Sequence, residues 1–129
     1  MKIKLNSIFV ENQDRALDFY TRVLGFIKKH DVPVGQFRWI SLVSPEGNQE
    51  TELLLEPNEN PAARTFQEAI FKQGIPITAF EVDDLDAQYA RLSAQSVVFT
   101  MVPTLAGPVK IAVFADTCGN LIQLYQPME

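Results

Sequence analysis

Cysteine and histidine are almost absent from this chain of 129 residues, which has one of each, Cys118 and His30. A lone cysteine excludes an internal disulfide and a cysteine-rich metal site. A single histidine excludes sites that need several imidazole ligands. Basic residues are also few: 11 Lys and Arg against 16 Asp and Glu give a net charge of −5. Because nucleic acids and anionic membranes are bound by clustered cations, we expect neither as a partner.

Long apolar runs are missing as well. No stretch approaches the roughly 20 residues of a membrane span, and Met1–Leu5 lacks the apolar core of a signal peptide. We therefore expect a cytoplasmic protein. Hydrophobic residues nevertheless make up 47% of the chain, which is enough to build the core of one domain over residues 1–129.

One pattern of elements occurs twice. Periodicity predicts the order β-α-β-β-β in a first module (residues 2–57) and again in a second module (residues 76–127), joined by a linker helix within residues 58–75. Val10–Asp14 matches Val82–Asp86, and Gly47-Asn48 matches Gly119-Asn120, both 72 residues apart. The first copy then has about three extra residues, so its last strand aligns 69 residues before its counterpart.

The predicted strands are separated by turn signals. Pro33-Val34-Gly35 is expected to end a strand, and Pro103–Pro108 is either a simple turn or a lid over a binding cleft. The predicted strands are Lys2–Val10, Phe26–Val32, Phe37–Ser44, Thr51–Glu56, Ile77–Val82, Val97–Val102, Val109–Ala115 and Leu121–Gln126. This order predicts an α+β fold in which the two βαβββ modules pair into a curled eight-stranded mixed sheet around a cleft, with the helices on the outer face.

Two segments carry recognisable motifs. VENQDRALDFYTRVLGF (Val10–Phe26) is a strand followed by a helix, and VFADTCGNLIQLYQ (Val113–Gln126) has an Asp-x-x-Gly-Asn turn before the last strand. With the repeated βαβββ plan, these motifs resemble the vicinal oxygen chelate superfamily, which includes glyoxalase I, bleomycin-resistance proteins and extradiol dioxygenases. The superfamily shares a scaffold and not a reaction, so function has to be argued at the site.

The resemblance implies a set of four cleft positions. In metal-dependent members, one side chain from the first and one from the last strand of each module hold a divalent metal ion. The matching residues here are Leu5, Leu54, Ile77 and Gln123. Leu and Ile offer no lone pairs, so one amide is left and the usual metal site cannot form.

Further cleft candidates follow from strand alternation. Ser7 shares a face with Leu5, and Tyr125 shares a face with Gln123. Adjacent Arg38 and Trp39 point to opposite faces, so at most one of them faces the cleft. Trp39 would favour a planar ligand and Arg38 an anion, and the alternative for Trp39 is packing in the core.

The other polar candidates have less support. The carboxylates on the cleft side are rim residues or, as an alternative, ligands of a displaced metal site: Glu52, Glu56 and Glu81. His30 is either a solvated residue at a strand edge or a catalytic base.

We therefore predict a metal-independent protein, without a cofactor, that binds a small organic molecule in an apolar cleft with Gln123 as an orienting amide. The alternative is a metalloenzyme resembling glyoxalase I (lactoylglutathione lyase) or a dioxygenase, with a divalent metal ion at a displaced site. An interaction protein without a small ligand is a third hypothesis, so enzymatic activity stays open. The resemblance also implies a homodimer, with the cleft inside one chain or between two.

Overall fold

A computed structural model describes residues 1–128 of the chain, which fall into two compact units, Met1–Phe66 and a second unit that begins at Gln67. Eight strands and three helices lie in this range. None of the helices among residues 1–128 is long and apolar enough to cross a membrane. The elements are β1 (Leu5–Val10), α1 (Gln13–Asp18), β2 (Ile27–Val34), β3 (Phe37–Val43), β4 (Glu52–Pro57), α2 (Pro61–Lys72), β5 (Thr78–Glu81), α3 (Leu85–Ala94), β6 (Phe99–Ala106), β7 (Val109–Ala115) and β8 (Leu121–Pro127).

The first unit is a four-stranded mixed sheet with the strand order β1-β4-β3-β2, in which only β1 and β4 are parallel. Helix α1 is capped by Asn12, whose side chain accepts a hydrogen bond from the backbone N–H of Arg15, and it continues as a π-helical turn, Phe19–Val23. It contacts β3 and β4. The core under it is fully or almost fully buried: Ile8, Val10, Ala16, Tyr20, Ile40, Leu42 and Leu55.

The second unit repeats this plan with the order β5-β8-β7-β6, again with only the first pair parallel. Helix α3 contacts β6, β7 and β8. Asp84 caps it through the backbone N–H of Ala87, as Asn12 caps α1. The fold class is therefore confirmed as α+β, built from two four-stranded mixed sheets with helices.

The repeat governs local geometry as well as element order. Strands β2 and β3 begin and end 72 residues before β6 and β7. Gly35 and Gly107, also 72 apart, occupy the two hairpin turns with φ values of 61° and 63°, where a side chain would be strained. The β3–β4 connection spans residues 44–51 and its counterpart residues 116–120, which accounts for the insertion in the first copy.

Several predicted boundaries were wrong. The first strand begins at Leu5, not at Lys2. Strand β2 continues through Pro33 and Val34, because it lies at a sheet edge where a missing N–H breaks no ladder bond. For the same reason edge strand β6 includes Pro103, so residues 103–106 are strand and not the turn or lid considered for Pro103–Pro108.

Candidate functional site

Within residues 1–128, α1 contacts the first sheet and α3 the second, each on one face of its sheet. We call the opposite face of each sheet the helix-free face. On β3, Arg38 lies on the helix side, because its guanidinium pairs with Asp14 of α1. Alternation then places Trp39 and Ser41 on the helix-free face. Trp39 is therefore on the helix-free face, and Arg38 is on the helix side.

The four positions implied by the resemblance lie on these helix-free faces in matching register. In the first sheet Leu5 pairs with Glu52 and Ser7 with Leu54. In the second sheet Gln123 pairs with Ala79, and the Ile77 N–H donates to the Leu121 carbonyl at 2.8 Å. Leu54 is 4% exposed and Leu5 is 45% exposed, whereas Ile77 and Gln123 are half-buried. Leu5 and Ile77, 72 residues apart, and Leu54 and Gln123, 69 residues apart, therefore occupy equivalent positions in the two sheets.

Arg38 is held away from any ligand by two carboxylates. Its Nε and Nη2 donate to the two oxygens of Asp31 at 3.0 and 3.1 Å, and its Nη1 pairs with Asp14. These hydrogen bonds raise the pKa of Arg38 and lower the pKa of Asp31. Because Asp31 and Asp14 compensate the guanidinium charge on the helix side, Arg38 offers no free cation to an anionic ligand.

Strands β3 and β4 separate at one end. Their ladder consists of Ser41 with Leu54 and Leu42 with Leu53, whereas β7 and β8 pair at every position from Val109 to Ala115. The side chain of Gln13 spans the opening. Its Nε2 donates to the carbonyls of Arg38 at 2.6 Å and Leu55 at 3.0 Å, and its Oε1 accepts from the Arg38 N–H at 3.1 Å. An amide from α1 therefore replaces the missing backbone bonds.

An open groove of about 200 Å³ lies along this opening, and we call it the strand-gap groove. Its volume is below the roughly 300 to 1,000 Å³ of sites that enclose a drug-sized ligand, so it suits a flat ring or one part of a larger molecule. Trp39, 39% exposed, stands on the β3 side. Glu56 lies on the β4 side and makes no ion pair within residues 1–128. The other residues that line the groove are Val34, Phe37, Arg38, Leu54, Leu55 and Pro57.

A polar cluster adjoins the groove on the same face. The hydroxyl of buried Ser41 donates to Glu52 Oε1 at 2.7 Å, and Lys29 Nζ and His30 Nε2 lie 3.5 and 3.9 Å from the Glu52 carboxylate. The Ser41 hydrogen bond, together with the nearby charges of Lys29 and His30, lowers the pKa of Glu52. Because Ser41 donates to a carboxylate and not to His30, the cluster lacks the geometry of an activated serine nucleophile.

The helix-free face of the second sheet carries Gln123, Tyr125 and Glu81. Glu81 pairs with Tyr125 in the ladder and accepts its hydroxyl at 3.4 Å. The Gln123 amide makes no hydrogen bond to any residue that the structure describes. It is thus a free donor and acceptor beside an apolar strand.

The residues present do not fit the superfamily's metal. Leu5, Leu54 and Ile77 supply no lone pair. Glu52 is bonded to Ser41 and Lys29, and Glu81 to Tyr125. Over residues 1–128 no three His, Cys, Asp or Glu side chains form a group that could hold a metal ion.

Two contributors were missed by sequence reasoning. Gln13 lies in the Val10–Phe26 motif but was assigned no role, and Ser41 was not among the candidate site residues. Their partners lie 42 residues away for Gln13 and Leu55, and 11 for Ser41 and Glu52. The one available signal was a polar residue at 13 where the repeat has Leu85.

Comparisons with known proteins agree with this geometry. YurT of Bacillus subtilis (strain 168) is 60% identical over 126 residues, covering 98% of this chain and 99% of the relative. The solved structure of UcmS2 has a TM-score of 0.84 at 29% identity and covers 97% of both chains. That of TnmS3, an antibiotic-binding protein from Streptomyces sp. CB03234, has a TM-score of 0.77 at 29% identity, over 98% of this chain and 96% of its own.

The family model described as the glyoxalase/bleomycin resistance protein/dioxygenase superfamily matches residues 2–124. The match covers the first βαβββ unit, the second unit as far as Leu124, and all four positions implied by the resemblance. The chain belongs to the glyoxalase/bleomycin resistance protein/dioxygenase superfamily.

Proposed function

We infer that the protein binds a small organic molecule at a helix-free face and does so without a metal ion. The observation that carries this proposal comes from the two pairs of equivalent positions, Leu5 with Ile77 and Leu54 with Gln123: three of these residues are aliphatic, and Gln123 has an amide with no partner among the described residues. Burial of apolar ligand surface would supply the affinity, and the amide would orient the ligand. The similarity to an antibiotic-binding protein supports binding over catalysis.

Two further properties belong to the proposal. A homodimer is supported by large apolar side chains left exposed on α2 and after it, Phe66 (53%), Phe71 (40%) and Ile75 (46%), since exposed apolar patches mark association surfaces. A cytoplasmic location is supported by the single cysteine, Cys118, which is buried in its thiol form. Size-exclusion chromatography with light scattering tests the first, and cell fractionation tests the second.

The binding proposal is tested by a thermal-shift screen of uncharged, cationic and anionic aromatic drugs and metabolites. A hit should raise the melting temperature in the presence of excess EDTA as much as in its absence. Metal analysis of protein purified without chelator should find no stoichiometric divalent ion. A stoichiometric ion lost together with ligand binding would contradict the proposal and favour a metalloenzyme.

Gln123→Leu tests the orienting amide. Loss of a buried hydrogen bond to the ligand should weaken binding of a screening hit by about 1 to 3 kcal/mol, measured by calorimetry. Gln73→Leu is the matched control, because Gln73 is exposed and its side chain also has no partner within residues 1–128. Equal affinity of both variants and the parent would remove Gln123 from the site.

A further inference from the structure

We propose that the strand-gap groove of the first sheet binds a flat aromatic cation, with the ring against Trp39 and the positive charge at Glu56. The inference rests on the proposed function, since it names the ligand class and the place of binding. It is carried by three features of the groove: its opening, its charge and its aromatic wall.

The opening is not required by the fold. The same βαβββ plan is built twice, and the equivalent strands β7 and β8 stay paired along the whole of β7. The residue equivalent to Gln13 is Leu85, which is fully buried and cannot bridge two strands. Only the first copy places an amide at this position, and there the three hydrogen bonds of Gln13 bridge the separated ends of β3 and β4. The gap is therefore a specialised feature of one copy.

The uncompensated charge of the groove is negative. Two charged residues line it, Arg38 and Glu56. Arg38 is neutralised by Asp31 and Asp14, whereas Glu56 has no ion pair in the described part of the chain. The nearby Lys29 is occupied by Glu52. An anion would meet no free cation here, whereas a cation would meet a carboxylate beside apolar walls, where charge interactions are stronger than in water.

The aromatic wall completes the site. Trp39 is partly exposed in the groove, and its indole N–H has no acceptor within residues 1–128. Phe9 on β1 pairs with Glu56 in the ladder, so the carboxylate has an aromatic residue in the neighbouring strand and Trp39 across the gap. Aromatic faces attract cations, and Trp does so best. Ring stacking and charge pairing can thus act on the same ligand.

Three acridines that share one ring system test the charge. At mildly alkaline pH, 9-aminoacridine is a cation, acridine is neutral and acridine-9-carboxylate is an anion. Trp39 is the only tryptophan, so quenching of its fluorescence reports binding at the groove. We expect 9-aminoacridine to bind about tenfold tighter than acridine, and the carboxylate to bind weakest.

Variants test whether the charge of Glu56 causes the preference for the cation. Glu56→Gln keeps the shape of the side chain and should bind the cation and the neutral ring equally. Glu68→Gln removes the same charge from an exposed site on α2 that has no ion pair within residues 1–128 and should keep the tenfold ratio. Trp39→Phe should weaken all three ligands, read by acridine fluorescence.

Equal binding of the three probes, or an unchanged ratio in Glu56→Gln, would overturn the assignment of a cation and leave the proposed function intact. No quenching of Trp39 by any probe would overturn the groove as the binding site. The proposed function is judged separately by the wider thermal-shift screen, which does not depend on Trp39.

Discussion

Replacing Gln13 by alanine is the most direct perturbation of the strand gap. The substitution removes an acceptor for the Arg38 N–H and a donor shared by the carbonyls of Arg38 and Leu55. A net hydrogen bond contributes about 0.5 to 1.5 kcal/mol, and a buried polar group left without a partner costs about 1 to 3 kcal/mol. Because these groups are only partly buried and water can reach some of them, we expect a loss of about 2 to 4 kcal/mol in the free energy of unfolding.

Urea unfolding followed by Trp39 fluorescence is the suitable assay, since Trp39 and Gln13 lie in the same unit. The midpoint should fall while the slope with denaturant stays unchanged. Gln73→Ala is the matched control, and it should stay within about 0.5 kcal/mol of the parent, as exposed substitutions do. A loss for Gln13→Ala no larger than that of the control would refute the idea that this amide holds the two strands.

Gln13→Glu separates the role of the amide from its volume. A carboxylate can still accept from the Arg38 N–H but would face two carbonyl oxygens, to which it cannot donate. We expect this variant to be less stable than Gln13→Ala at neutral pH and to recover part of the loss on protonation. Equal stability of the two variants at neutral pH would show that the carbonyls find other donors.

Two further predictions concern stability. The pKa of Asp31 is lowered by its hydrogen bonds from Arg38, so the pair contributes its full stability above the unfolded-state value near 3.8 and loses it as the pH falls through the lower folded value. Asp31→Asn should therefore cost about 1 kcal/mol at pH 7, with the difference shrinking in acid, as measured by urea titrations across pH. Gln67→Leu removes a buried donor to the Cys118 carbonyl and to Asn120 Oδ1 and should cost about 2 to 3 kcal/mol in denaturant unfolding, whereas an effect below 0.5 kcal/mol would contradict that role.

The sequence was most informative where the signal is local or repeated. The Asp-x-x-Gly-Asn turn before the last strand and the alternation of strand residues both depend on a few neighbouring positions. The internal repeat then identified Leu54 as the position equivalent to Gln123. These features sufficed for the fold class and for which residues share a face of a strand.

The strand gap could not be predicted, because its cause is non-local. Whether β3 and β4 stay paired depends on Gln13, which reaches them from α1 across 25 and 42 residues of sequence. The orientation of Arg38 could not be predicted either, because it depends on ion pairs with Asp14 and Asp31. Periodicity showed that Arg38 and Trp39 face opposite ways, but only the ion pairs identified which face is which.

The duplicated module also provides an internal control for function. Some features are present in both copies. An example is the ion pair between Arg38 and Asp14, whose counterpart joins Lys110 and Asp86. Such features serve the fold, since both units need them. Features present in one copy are not explained by the fold. Gln13 is such a feature, because its counterpart Leu85 supports the same βαβββ plan without any opening. The asymmetry between the copies is thus the strongest physical reason to place binding at the gap.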